Sequence, residues 1–309
     1  MTGSVNADTL SGNASANVLD GGAGADALAG GDGSDSYYVD DVGDVVSETN
    51  ADAATGGTDT VYSTLATYTL GANVENGRIA AASGKGNLSG NELANTIFAG
   101  AGNNYIAGGA GSDTVSYLYG VAGGTGVTVS LAVTDSQTTG GSGSDKLAGV
   151  ENLVGSDFAD FLTGSDGNNS LTGKLGNDHL AGGLGNDKLV GGAGIDLLDG
   201  GGGKDTFRFD FALDGTTNVD TISDFNVVDD RIQLENSVFA QLTVTGTLAA
   251  ANFRANAGGV ATQADDYILY DTNTGGLFYD ADGNGAGASI QFAIVNGHPV
   301  LTAGDFVIS

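Results

Sequence analysis

Oxygen-bearing side chains recur in this chain at a fixed interval. Asp160, Asn169, Asp178, Asp187, Asp196 and Asp205 stand nine residues apart. Asp8, Asn17, Asp26 and Asp35 repeat the spacing near the start, and Asn95, Asn104 and Asp113 repeat it in the middle. Asp145 stands alone in one further unit. Carboxylate and amide oxygens are hard ligands, the kind a calcium ion prefers. The acidic residues are 33 Asp and only 5 Glu, a bias toward the shorter carboxylate that suits side chains reaching ions from tight turns. An Asn offers a neutral oxygen, so the block with two Asn in three is expected to be partly a polar ladder, poorer in calcium.

The elements that must position these groups are legible in the same period. From Gly155 to Arg208 the chain reads GSDFADFLT, GSDGNNSLT, GKLGNDHLA, GGLGNDKLV, GGAGIDLLD and GGGGKDTFR. Six positions carry turn chemistry and three form an x-apolar-x strand. Side chains alternate faces along a strand, so the eighth position points inward. It holds Leu162, Leu171, Leu180, Leu189, Leu198 and Phe207. A Gly-rich flexible linker is the competing reading, but a linker has no reason to keep an apolar residue at every ninth position.

The pattern resembles the RTX nonapeptide family, the haemolysin-type calcium-binding repeats, G-G-x-G-x-D-x-U-x. The resemblance implies an all-β, right-handed parallel β-roll solenoid in which two nonapeptides make one coil. Neighbours on one side are then 18 residues apart. It implies several Ca²⁺ ions between stacked turns, one ligand column of Asp160, Asp178 and Asp196 and another of Asn169, Asp187 and Asp205.

The blocks are interrupted. Residues 1–39 form a first repeat block, 86–116 a second and 140–208 a third. The period is lost from Tyr38 to Gly84 and again from Tyr117 to Thr139. Residues 40–85 and 117–139 are therefore expected as lateral β insertions, the alternative being that they separate independent rolls. V-E-N recurs at 74–76 and 150–152, each time just before a repeat block, and reads as a reused structural unit. Residues 209–309 are expected to form a C-terminal β cap, with longer alternating strands over 218–234. The last 60 residues resemble the uncleaved tails of type I secretion substrates. Asp280, Asp282 and Asn284 fit the start of an EF-hand loop. With Gln291 at its twelfth position and no flanking helical pattern, a hairpin turn is the preferred reading there.

Composition narrows the function. With 9 basic against 38 acidic residues the formal charge is −29, which opposes compaction unless counterions neutralise it and argues against nucleic acid as a partner. There is no Cys, no basic-then-apolar leader at Met1–Leu10 and no apolar run of membrane-spanning length. No G-x-S-x-G, H-E-x-x-H or P-loop occurs, so no enzyme is expected. The expectation is a secreted, extracellular or cell-surface calcium-binding structural protein. It would fold on meeting calcium outside the cell and assemble head to tail with itself into a filament, surface layer or matrix, after passing through type I secretion machinery. A calcium-dependent adhesin and a secretion module cut from a larger RTX protein are the alternatives.

Overall fold

In the computed structural model, residues 1–50, 54–121 and 123–309 are described; 51–53 and 122, in the two expected insertions, lie outside them. The described residues form strands and three short 3-10 turns, with no α-helix, and no helix long and apolar enough to cross a membrane. The chain divides between Val154 and Gly155 into two compact units. The division falls inside the expected third block.

In the first unit, strands of three to five residues stack in parallel on two sides of a coil. One stack runs Thr9–Ser11, Ala27–Ala29, Val45–Ser47, with Leu10 level with Leu28 and Leu28 level with Val46. The other runs Val18–Asp20, Ser36–Val39, Thr60–Ser63, Asn76–Ile79, Thr96–Phe98, Thr114–Ser116, Asn152–Val154. A third set, Thr67–Thr69, Gly86–Ser89, Asn104–Ala107 and Ser144–Ala148, is likewise parallel.

The column residue of each strand faces inward, joined in four-residue strands by a second buried residue such as Val39 or Ile79. Leu19, Leu28, Tyr37, Val46, Ile97, Ile106, Val115 and Leu147 are all buried. Each contributes about 1.5–3 kcal/mol by leaving water.

The segment 40–85 departs from the expected insertion. The nine-residue register runs one unit further than its glycines suggest, placing Asp44 and Val46 in their columns. Thr60–Ser63 and Asn76–Ile79 then pair in parallel with the strands before and after. These residues are coils of the roll with turns of altered length. Residues 117–139 depart less: Thr128–Ser130 is a strand, and Gln137–Thr138 runs antiparallel along Ser144–Ala148.

In the second unit one stack is Phe161–Thr163, His179–Ala181, Leu197–Asp199, Asp220–Ile222, Ile290–Val295. The other is Ser170–Leu175, Lys188–Ala193, Thr206–Phe209, Arg231–Leu234, Phe306–Ile308. Both stacks continue beyond residue 208 in parallel register, so the expected cap begins as further coils. Its strands are short: Asp220–Ile222 and Arg231–Leu234 are separated by a turn, where one long alternating run was expected. Antiparallel pairing enters with Ile268–Asp271, Gly276–Tyr279 and Ile290–Val295. There Phe239 packs edge-on against Tyr279 and Phe292 with ring centroids 5.2 Å apart.

Candidate metal centre

The sixth position of each unit is the residue just before its strand. It joins successive coils by one repeated bond, in which the amide of the earlier residue donates to the side-chain oxygen of the later one. In unit 2, Asp160 donates to Asp178 Oδ1 and Asp178 to Asp196 Oδ1, each at 2.8 Å. Asn169 donates to Asp187 at 2.7 Å and Asp187 to Asp205 at 2.8 Å. In unit 1, Asp8 donates to Asp26 and Asn17 to Asp35, both at 2.7 Å, and Asn95 donates to Asp113. The two ligand columns expected from an 18-residue coil are these two runs of rungs.

The run is longer than the period reveals. Asp26 donates to Asp44, Asp35 to Asp59 and Asp59 to the Glu75 carboxylate. Asp113 donates to Glu151, Asn104 to Asp145, Asp196 to Asp220 and Asp205 to Asp230. Asp44, Asp59, Glu75, Glu151, Asp220 and Asp230 were missed because the spacing changes to 24, 16, 38, 24 or 25 residues, or because a turn has lost its first glycine. The signal that finds them is an acidic residue immediately before a short x-apolar-x strand. V-E-N at 150–152 is that signal, with Glu in the place of Asp, whereas Glu75 precedes a strand with Gly77 in the inward column.

The second side-chain oxygen separates the units into kinds. Where the first and fourth positions are Gly and the sixth is Asp, the other carboxylate oxygen is buried. It has no hydrogen-bond partner among the described residues. This holds for Asp26, Asp35, Asp113, Asp178, Asp187, Asp196 and Asp205. Asp145 has the same glycines, but the Thr139 hydroxyl donates to its Oδ2 at 3.2 Å. Where the fourth glycine is missing, a serine steps in: Ser4 and Ser156 donate amide and hydroxyl to Asp8 and Asp160.

At the Asn rungs the amide does the work of a cation. Asn95 Nδ2 donates to the carbonyls of Val74 and Glu75, and Asn104 Nδ2 to those of Gly84 and Gly86. Asn17 and Asn169 accept from the amides of Asn13 and Ser165. Asp280 and Asp282 lie in the connection between the antiparallel strands Gly276–Tyr279 and Ile290–Val295. There the Asp282 amide donates to Asp280 Oδ1 at 3.3 Å. Asn284 turns away, its amide group reaching the Thr262 carbonyl.

The first glycine leaves room for the carboxylate. A Cβ at Gly21, Gly173, Gly182 or Gly191 would overlap the Oδ2 of Asp26, Asp178, Asp187 or Asp196, respectively. Carbonyl oxygens of the next coil complete the cradle, with Gly191 O 2.6 Å from a Cβ at Gly173 and Gly200 O 2.5 Å from one at Gly182. Carbonyl and carboxylate oxygens around a buried, unmet oxygen are the donor set a calcium ion takes.

No side chain neutralises these rungs. Among the described residues the ion pairs are Arg208 with Asp210 and Glu235, and Arg254 with Asp266. Without a cation, some of these carboxyl groups take up protons more readily. Burial pushes Asp178 up to about 8, with the Asp196 and Asp160 charges adding to it. Burial likewise pushes Asp220 up to about 8 and Asp205 to about 6.

The sign follows from linkage. A group protonated in the fold up to about pH 8 but ionising near 3.8 when unfolded stabilises the fold fully below 3.8; that stability is lost as pH rises through about 8. The ion-free chain is therefore expected to keep more β-sheet near pH 5 than near pH 8.5, by far-ultraviolet circular dichroism in chelator. Calcium is expected to reverse the order, because it competes with the protons. Equal β-sheet content at both pH values in chelator would show that the rungs are not buried as described.

Stacked parallel coils with oxygen cradles at each turn define a calcium-binding β-roll. The RTX calcium-binding nonapeptide repeat matches residues 2–37, 84–117, 139–180, 154–189 and 181–211, and the chain belongs to that family. No curated protein matches it. Among solved structures it is similar to the R3 subunit of the AlgE6 mannuronan C5-epimerase from Azotobacter vinelandii. Identity is 30%, covering 49% of this chain and 78% of that one, with a TM-score of 0.32. It is also similar to the extracellular lipase LipA from Serratia marcescens at 16% identity, covering 82% of this chain and 45% of that one, with a TM-score of 0.24. The nonapeptide repeats bind several calcium ions.

Proposed function

We propose that this chain is a secreted structural protein that calcium folds outside the cell and that then joins copies of itself. The observation that carries the reading is the set of seven buried aspartate oxygens left without a partner among the described residues. Asp26, Asp35, Asp113, Asp178, Asp187, Asp196 and Asp205 would hold the ions, joined at Asp113, Asp178 and Asp187 by glycine carbonyls of the adjoining coil. Calcium supplies positive charge there; the chain supplies oxygens fixed by the amide rungs. At low cytosolic calcium the −29 charge keeps the chain open, suited to export through type I machinery. Extracellular calcium exceeds the roughly 10⁻⁴ to 10⁻³ M dissociation constants of extracellular modules, and binding then drives folding. No reaction is assigned, and the chain is read as non-catalytic.

Self-association is supported by the edge of the first stack. Thr9–Ser11 is an edge strand, and Leu10 is only half-buried where the other repeat-column apolar residues are buried. Unpaired edges accept further strands. Sedimentation velocity of the purified chain, titrated from chelator to saturating calcium, tests this. Polymers that form with calcium and disperse in chelator are the expected result.

A folded monomer at saturating calcium would remove self-assembly and leave the second reading, a calcium-dependent binding module. One feature favours that reading. An open groove of about 440 Å³ is lined by Tyr38, Tyr62, Arg78 and Tyr119. Tyr38 and Tyr62 are stacked at 5.0 Å, and the Arg78 guanidinium lies 4.1 Å over the Tyr119 ring. Such a surface suits a sugar ring bearing a carboxylate.

A further inference from the structure

We propose that Asp35, Glu48 and Asp59 form a calcium site of a different kind from the repeat turns, closed by the Glu48 side chain. The proposal rests on reading the rungs as calcium ligands. Counting by nines from Gly30 through Val39 places Glu48 where a unit's first glycine belongs. A regular unit has no side chain at that point, since a Cβ at Gly30 would already overlap Asp35 Oδ2. From Glu48 the sequence counts twelve residues to the next rung, Asp59, where a regular unit counts six. Asp59 therefore follows Asp35 by 24 residues while still accepting the Asp35 amide at 2.7 Å.

The three carboxylates converge in the interior. Asp35, Glu48 and Asp59 are 1%, 6% and 1% exposed, and one oxygen from each lies within 4.8 Å of the other two. Among the described residues, Asp35 Oδ2 and Glu48 Oε2 have no hydrogen-bond partner. The buried Tyr37 hydroxyl donates to the other Glu48 oxygen, which fixes the carboxylate with its free oxygen toward the cluster. No ion pair among the described residues reaches the three.

Burying one unpaired charge costs several kcal/mol, and three side by side cost more. A cation resolves this directly. The ligand set is all oxygen, with no nitrogen or sulfur to favour zinc. It is also anionic and irregular, which suits calcium better than the strict octahedron of magnesium. With three carboxylates converging in place of a turn's glycine carbonyls, the site is expected to hold its ion more tightly than the repeat turns.

The test counts calcium ions on the intact chain by native mass spectrometry, for the wild type, Glu48→Gln and Glu48→Asp, with circular dichroism to establish folding. Glu48→Gln is expected to fold in saturating calcium and carry one ion fewer. An unchanged count on folded Glu48→Gln overturns the site and leaves the repeat-turn reading intact; no ions on the wild type overturns both. If Glu48→Gln does not fold, Glu48→Asp decides: its shortened reach is expected to weaken the tightest calcium site at least tenfold by calorimetric titration. An unchanged titration then overturns the site.

Discussion

Removing calcium from the folded chain near pH 8 is expected to abolish most of its β-sheet signal in far-ultraviolet circular dichroism. Among the described residues, seven aspartate oxygens and one glutamate oxygen are buried without a partner, and no basic side chain pairs with any of them. A buried, uncompensated charge costs several kcal/mol, whereas a folded domain is stable by only about 5–15 kcal/mol. A few emptied sites are therefore enough to exceed the whole margin. The second unit, where Asp178, Asp187, Asp196 and Asp205 follow one another without interruption, is expected to lose its structure cooperatively. A chelator titration that leaves both the spectrum and the melting temperature unchanged would show that the rungs are satisfied by something other than a cation.

Gly182→Ala is expected to destabilise the calcium-loaded chain by on the order of 3 kcal/mol, the upper range for forced overpacking, and to remove an ion. Conformation is not the reason, since Gly182 is not among the glycines with positive φ. Space is the reason. The added methyl overlaps Asp187 Oδ2 and lies 2.5 Å from the Gly200 carbonyl, both groups that face the cradle. Gly202→Ala is the control, because its Cβ would meet only a Leu184 methyl at 3.2 Å, the far end of a flexible side chain. Calcium titration with thermal melts of the two variants checks the pair. Equal losses would mean that Gly182 matters only as a generic repeat glycine.

What the sequence disclosed follows from how the fold writes itself. Where a turn has six residues and a strand three, every column repeats at nine, and the rungs from Asp160 to Asp205 stand out. The roll does not require that regularity. A rung requires only that an acidic residue stand where one amide of the coil before can reach it, as Asp59 does for Asp35. Between rungs the chain is free to take 16, 24 or 38 residues, and a count by nines is then blind. Asp59, Glu75 and Glu151 were hidden in this way, and the segment 40–85 was read as an insertion where it forms coils. Which rungs leave an oxygen unmet depends on neighbours such as Ser156 and Thr139, whose approach is set in three dimensions. Glu48 does stand in the nine-residue count, but the count gives no sign that a carboxylate there meets Asp35 and Asp59.

The rungs also have a direction. Each carboxylate serves the amide of the coil that came before it, so a residue's own position is not where its loss is felt. Replace Asp205, and its own amide keeps its bond to Asp230, while the Asp187 amide is orphaned. A lesion on this ladder is addressed to a coil 18 residues upstream. Along the roll, damage travels toward the N-terminus while the sequence that encodes it is read the other way.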